Sequence, residues 1–132
     1  VIAYSPMQAG LLTCAFTKER ASTLAESDWR KRSPYFKEPQ LSVNLETIER
    51  LRPIGDRNGL TMGQLALAWL LRDPVMTAAI VGARKPGQIT ETFKASGVSL
   101  SAADLQEIEL VLKDRETRAP ELEGTQLRPQ AK

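Results

Sequence analysis

The chain has 132 residues, 42% apolar and 26% charged, and its 18 basic and 16 acidic side chains leave a net charge of +2. A chain of this length carries one domain at most or part of one, and so small a charge gives no ground for a nucleic-acid or membrane surface. Histidine is absent and cysteine occurs once, at Cys14, which excludes Ser–His and Cys–His nucleophile pairs, nearly every catalytic zinc site and any internal disulfide framework.

Val1–Tyr4 is a short β-prone run stopped by Ser5-Pro6, and it reads as a buried strand. It lacks the basic segment and small-residue cleavage site of a signal peptide, and no run of about 18 apolar residues follows that would span a bilayer. With a single cysteine, these features fit a reducing, cytoplasmic setting. Gly10–Thr17 is apolar with turn signals, and Cys14 within it reads as a small buried hydrophobe. Lys18–Gln40 is polar, with Trp29, Tyr35 and Phe36 among Arg30, Lys31 and Arg32, and is expected as a long loop holding one short helix. Its basic cluster reads as a solvated loop in preference to a surface that stacks nucleotide or RNA.

A helix is predicted from about Ser42, with Leu45, Ile48 and Leu51 on one stripe and Asn58-Gly59 as a left-handed stop. Pro53 removes a backbone donor inside that pattern and should bend or split the helix near Glu49–Leu51. Thr61 and Gln64 form a capping box for the next helix, which is apolar nearly all round from Gln64 to Leu71 and so needs cover on more than one side, with Trp69 in the core. A helix-turn-helix reading fails there, because a base-reading helix needs polar side chains. Met76–Val81 reads as a second short buried strand closed by Gly82. Pro86 opens a helix carrying Ile89 and Phe93, with Gly97 as its stop. Ser101 and Asp104 cap a last helix whose Leu105, Ile108, Val111 and Leu112 make a core stripe. Residues 115–132 are expected as a flexible polar tail behind a unit at 1–114.

This order predicts an α/β chain, predominantly helical, with about two short parallel strands. Two strands make no stable sheet alone, so further elements should complete it. Arg84 and Lys85 stand just before the Pro86 helix, where free backbone donors and the helix dipole favour an anion.

Three segments carry a family resemblance. Tyr4-Ser5-Pro6-Met7-Gln8-Ala9-Gly10-Leu11-Leu12-Thr13 resembles the stretch after the seventh strand of aldo-keto reductases. Leu60–Leu71 is similar to that family's late apolar helix, and Ala79-Ile80-Val81-Gly82-Ala83-Arg84-Lys85-Pro86 to its eighth strand and phosphate-recognising loop. The resemblance implies the C-terminal portion of a (β/α)8 TIM barrel, since the whole fold takes about 250 residues. It also implies NADPH-dependent carbonyl reduction by an Asp, Tyr, Lys and His tetrad, whose positions lie in the first half of the barrel, so no catalytic residue carries over. Cofactor positions do carry over: Ser5, Pro6 and Met7 match the loop around the pyrophosphate and ribose, and Gly82, Arg84, Gln88 and Glu91 match positions around the adenosine 2′-phosphate. Two departures stand out. Cys14-Ala15-Phe16 replaces a common Gly-Lys-Tyr and removes a phosphate lysine, and Thr92 replaces a common Asn near the adenine.

The resulting expectation is a truncated aldo-keto reductase homologue, related to NADP-dependent oxidoreductases, that keeps the cofactor side, binds NADP weakly and lacks reductase activity alone. A first-half barrel partner or self-association to a dimer would cover its exposed strands. Two further classes remain open. One is a non-catalytic module that binds nucleotide or a partner. The other is a Ser-based hydrolase, disfavoured because Gly97-Val98-Ser99-Leu100-Ser101 fails as a nucleophile elbow.

Overall fold

Strand β1 (Ile2–Tyr4) pairs in parallel with β2 (Ala78–Ile80), Ile2 opposite Ala78, Ala3 opposite Ala79 and Tyr4 opposite Ile80. The computed structural model describes residues 1–119. Below the paired strands, the Val1 ammonium donates to the Val75 carbonyl at 2.7 Å, and Thr77 N–H donates to the Val1 carbonyl at 2.7 Å. The parallel arrangement agrees with the sequence; the burial does not. Ile2, Tyr4 and Ile80 are 62%, 58% and 56% exposed, because the described residues form a sheet of these two strands alone and each of them is an edge.

Between the strands, two 3-10 turns fill Gln8–Thr13, and the long loop holds one short helix, α1 (Lys18–Ser22), with single 3-10 turns at Trp29–Lys31 and Pro34–Phe36. Helix α2 (Gln40–Arg57) runs unbroken through Pro53, contrary to the predicted split. Pro53 is exposed, while Leu51 before it and Ile54 after it are buried in the core, and that burial holds both halves in line. Gly59 takes φ +65°, the left-handed stop expected, and Leu60 N–H returns to the Gly55 carbonyl.

Helix α3 (Met62–Leu71) opens on the Thr61–Gln64 capping box, Gln64 N–H donating to Thr61 Oγ1 and Thr61 N–H to Gln64 Oε1. Met62, Leu65, Leu67 and Ala68 are buried, and Trp69 is half-buried against the core with the Arg72 guanidinium 4.1 Å from its ring centroid. Helix α4 (Pro86–Phe93) starts at its proline as predicted. Its Ile89 and Phe93 stay 62% and 75% exposed. Gly97 closes a 3-10 turn (Lys94–Gly97) without a positive φ, so it is no left-handed stop; that turn continues directly from α4 and leaves nothing for a glycine to reverse.

Helix α5 (Ala102–Arg118) has the expected Ser101–Asp104 capping box and packs on α2 through Ile108 and Val111. It continues past 114 because polar contacts anchor its last turns: Arg115 Nε donates to Asn44 Oδ1 at 3.2 Å and Arg118 is paired with Glu46. The remainder of the predicted tail, 120–132, lies outside the described residues. The core gathers Leu11, Phe16 and Phe36 from the loops with Leu41, Ile48, Leu51 and Ile54 of α2, Met62 and Leu65 of α3, and Ile108 and Val111 of α5. No described helix is long and apolar enough to cross a membrane.

Candidate functional site: a cleft at the ends of two parallel strands

Parallel strands deliver the loops that follow them to one end of a sheet, where α/β folds commonly place their binding sites. Here the loops after β1 and β2 meet in an open cleft of about 680 Å³. The first loop is unusually left-handed: Ser5, Gln8 and Ala9 have φ of 54°, 49° and 54°, and Gly10 reaches 94°. Positive φ at three residues with side chains stores strain that only fixed surroundings sustain, a pattern concentrated at binding sites. Part of that support is the contact with α3, where a Cβ on Gly63 would come within 3.3 Å of Met7 Sδ and 3.7 Å of Thr13 Cγ2. Gly63 therefore lets the Met7 loop lie directly on the helix.

Of the seven residues expected around a cofactor, six line this cleft: Ser5, Pro6 and Met7 from the first loop, Gly82, Arg84 and Gln88 from the second. Glu91 does not. Its Oε1 accepts from Thr61 Oγ1 at 3.2 Å, and its main-chain carbonyl accepts from Gln64 Nε2 at 2.8 Å, so it ties α4 to the start of α3. Gln88 has a structural task as well, because its Oε1 accepts from the backbone N–H of both Arg84 (2.7 Å) and Lys85 (3.1 Å). The side chain thus occupies the N-cap donor of α4 and the backbone donor before it, both of which an anion at this helix start could otherwise use. The Arg84 side chain forms no ion pair among the described residues.

Sequence reasoning missed the third wall. Arg20, Asp28, Trp29 and Arg30, from the long loop, line the same cleft beside Phe16. The basic cluster divides: Lys31 turns to Glu26, Arg32 donates to the Glu26 carbonyl, and only Arg30 faces the cleft. Its guanidinium grips Asp28 in a two-point pair, Nε to Oδ1 at 3.0 Å and Nη2 to Oδ2 at 2.6 Å, and lies 5.5 Å from the Phe16 ring centroid. That pair holds the Asp28 carboxyl at about 2, below the usual carboxylate range. The usable signal was the Asp-x-Arg spacing next to a tryptophan, which a count of basic residues conceals. Cys14 sits outside this cleft, half-buried with φ 58°, and burial pushes its thiol up, away from the reactive thiolate.

The lining fits a phosphate-bearing ligand with flat rings. Arg20 and Arg84 supply cationic groups, Ser5 a hydroxyl, and Pro6, Met7, Phe16, Trp29 and Ile80 apolar and aromatic surface. Among the described residues no three of His, Cys, Asp and Glu converge on a point that could hold a metal ion.

Comparison with known proteins agrees with this architecture. The model of the aldo/keto reductase family matches residues 1–113. The NADP(+)-designated aldo-keto reductase yakc of Schizosaccharomyces pombe is 32% identical over 108 residues, 82% of this chain and 31% of that protein. The NADH-specific methylglyoxal reductase of Escherichia coli is 31% identical over 101 residues, 76% of this chain and 30% of that protein. Among solved structures, the glycerol dehydrogenase AKR11B4 of Gluconobacter oxydans superposes with a TM-score of 0.78 at 26% identity, covering 92% of this chain and 36% of that one. The chain thus spans about a third of the length of these relatives.

Proposed function

The chain belongs to the aldo/keto reductase family, and from that membership we propose that it forms the cofactor-holding sector of a (β/α)8 barrel, binding NADP in the cleft between the loops after β1 and β2. One observation carries the reading: Ser5, Pro6, Met7, Gly82, Arg84 and Gln88, far apart in sequence, line a single cleft at the carboxyl ends of two parallel strands. Ser5–Met7 hold the pyrophosphate and ribose from one side, and the Arg84 guanidinium takes the adenosine 2′-phosphate from the other. The Gln88 carboxamide keeps the Arg84–Lys85 turn in shape for that contact.

Bound NADPH supplies a hydride for carbonyl reduction. The acid–base groups that act on the carbonyl lie in barrel sectors other than this one, so the part these residues play in the reaction is to hold the cofactor. The names of the relatives divide over the cofactor, one carrying NADP(+) and another NADH. Arg84 is the group in this chain that favours NADPH, because of the two cofactors only NADPH carries the adenosine 2′-phosphate.

Fluorescence titration with NADPH and with NADH tests the assignment. The Arg84→Ala variant should lose about 1.5–3 kcal/mol of NADPH binding, the usual worth of a hydrogen bond to a charged group, and should bind NADH as before. Equal weakening of both, or an unchanged NADPH affinity, contradicts it. Steady NADPH oxidation with a panel of aldehydes by the purified 132-residue chain, above a heat-treated control, would contradict the division of labour.

A further inference from the structure

The wall that the long loop gives the cleft has more positive charge than its own residues neutralise. Two guanidiniums gather at the Phe16 ring, Arg30 at 5.5 Å and Arg20 at 6.0 Å from its centroid. One carboxylate serves them, and Arg30 holds both of its oxygens. Arg20 pairs with no carboxylate among the described residues. It donates through Nη1 to the Ala15 carbonyl at 3.0 Å, a bond that occupies one of its five N–H donors. Asp28 already feels Arg20 as a stabilising charge, so the cluster carries one cation in excess, against the cleft and beside a ring that favours a cation over its face.

The Arg20 guanidinium hangs from the carbonyl of Ala15, in the segment that follows β1 and lines the cleft. The α1 helix, whose Thr17 cap accepts from Arg20 N–H at 3.1 Å, holds that side chain in the wall of the cleft. We propose that Arg20 is the cationic diphosphate-binding residue of the cleft, acting beside Ser5–Met7, and that Arg20 and Arg84 divide the ligand's charge between them: diphosphate at Arg20, ribose phosphate at Arg84. The proposal rests on the cofactor reading above and assigns within it a contact made to NADPH and NADH alike.

Calorimetric titration of the purified protein with NADPH, NADH and inorganic pyrophosphate tests it, with thermal melts to verify folding of each variant. Arg20→Ala should weaken all three ligands by about tenfold or more. Arg20→Lys, which keeps the charge on a shorter stem, should recover most of that loss, and Arg84→Ala should weaken NADPH alone. Pyrophosphate should compete with NADPH for the wild-type protein, a measurement that needs no variant if Arg20→Ala fails to fold. Failure of the wild type to bind NADPH or NADH overturns the cofactor reading together with this one. Normal NADPH binding that is untouched by Arg20→Ala, equally weakened by Ala and Lys, or not displaced by pyrophosphate overturns the Arg20 assignment and leaves the cofactor reading in place.

Discussion

Asp28 and Arg30 illustrate how a surface-loop sequence becomes part of a cleft wall. The two-point pair orients the guanidinium, Arg30 Nη1 reaches the Ala9 carbonyl at 3.4 Å, and the loop is thereby stapled to the left-handed turn after β1. Asp104 plays a comparable part in the frame, where the Ser101 hydroxyl, Arg57 and Asn58 all donate to its carboxylate and hold it at about 2. Both carboxyls titrate lower in the folded chain than their ordinary value of 3.8. The unfolded chain therefore binds protons first, so their contribution to stability is complete above about pH 4 and is lost as pH falls towards 2. Acid unfolding followed by circular dichroism should fall steeply across that window. An Asp28→Asn, Asp104→Asn double variant should be less stable at pH 7 and show a flatter acid limb; an unchanged limb would mean that other carboxylates govern acid stability.

At the scale of elements, helix boundaries followed local chemistry and were legible. The Thr61–Gln64 and Ser101–Asp104 capping boxes, Pro86 as a first helical residue and Gly59 as a left-handed stop all rest on contacts within a few residues. What sequence misjudged depended on packing. Pro53 leaves α2 whole because Leu51 and Ile54 are buried on either side of it, and strand burial failed because it needs neighbours that no local pattern reveals. Within the candidate site, the loop and turn residues were readable from motif order, whereas Arg20, Asp28 and Arg30 were not, since their approach to the cleft is set by the path of the long loop. Gly63 marks the junction of α3 and that site. Gly63→Val should press on Met7 and Thr13, destabilise the fold by about 1–3 kcal/mol as an overpacked contact, and weaken cofactor binding along with it. Retained stability and affinity would show that the Met7 loop yields freely.

At the scale of the whole molecule, apolar surface is left bare among the described residues. Among the described residues both strands of the sheet are edges, a cavity of about 270 Å³ is lined by Leu12, Met62, Leu65, Trp69, Ile108 and Leu112, and Ile89 and Phe93 of α4 are exposed. Free strand edges and large apolar patches invite partners. The isolated chain is expected to pair with itself, a two-fold contact letting one patch cover its copy, unless the other barrel sectors cover these surfaces first. Sedimentation across a dilution series should reveal the dimer, and a strict monomer at high micromolar concentration would contradict it. The central claim, that this sector holds the cofactor between two strand-end loops, is tested most directly by amide NMR of the labelled chain titrated with NADPH. The account predicts shifts concentrated at Ser5, Met7 and Gly82–Gln88 and in the Arg20–Arg30 loop; no saturable shifts, or shifts centred on the α2–α5 face, would contradict it.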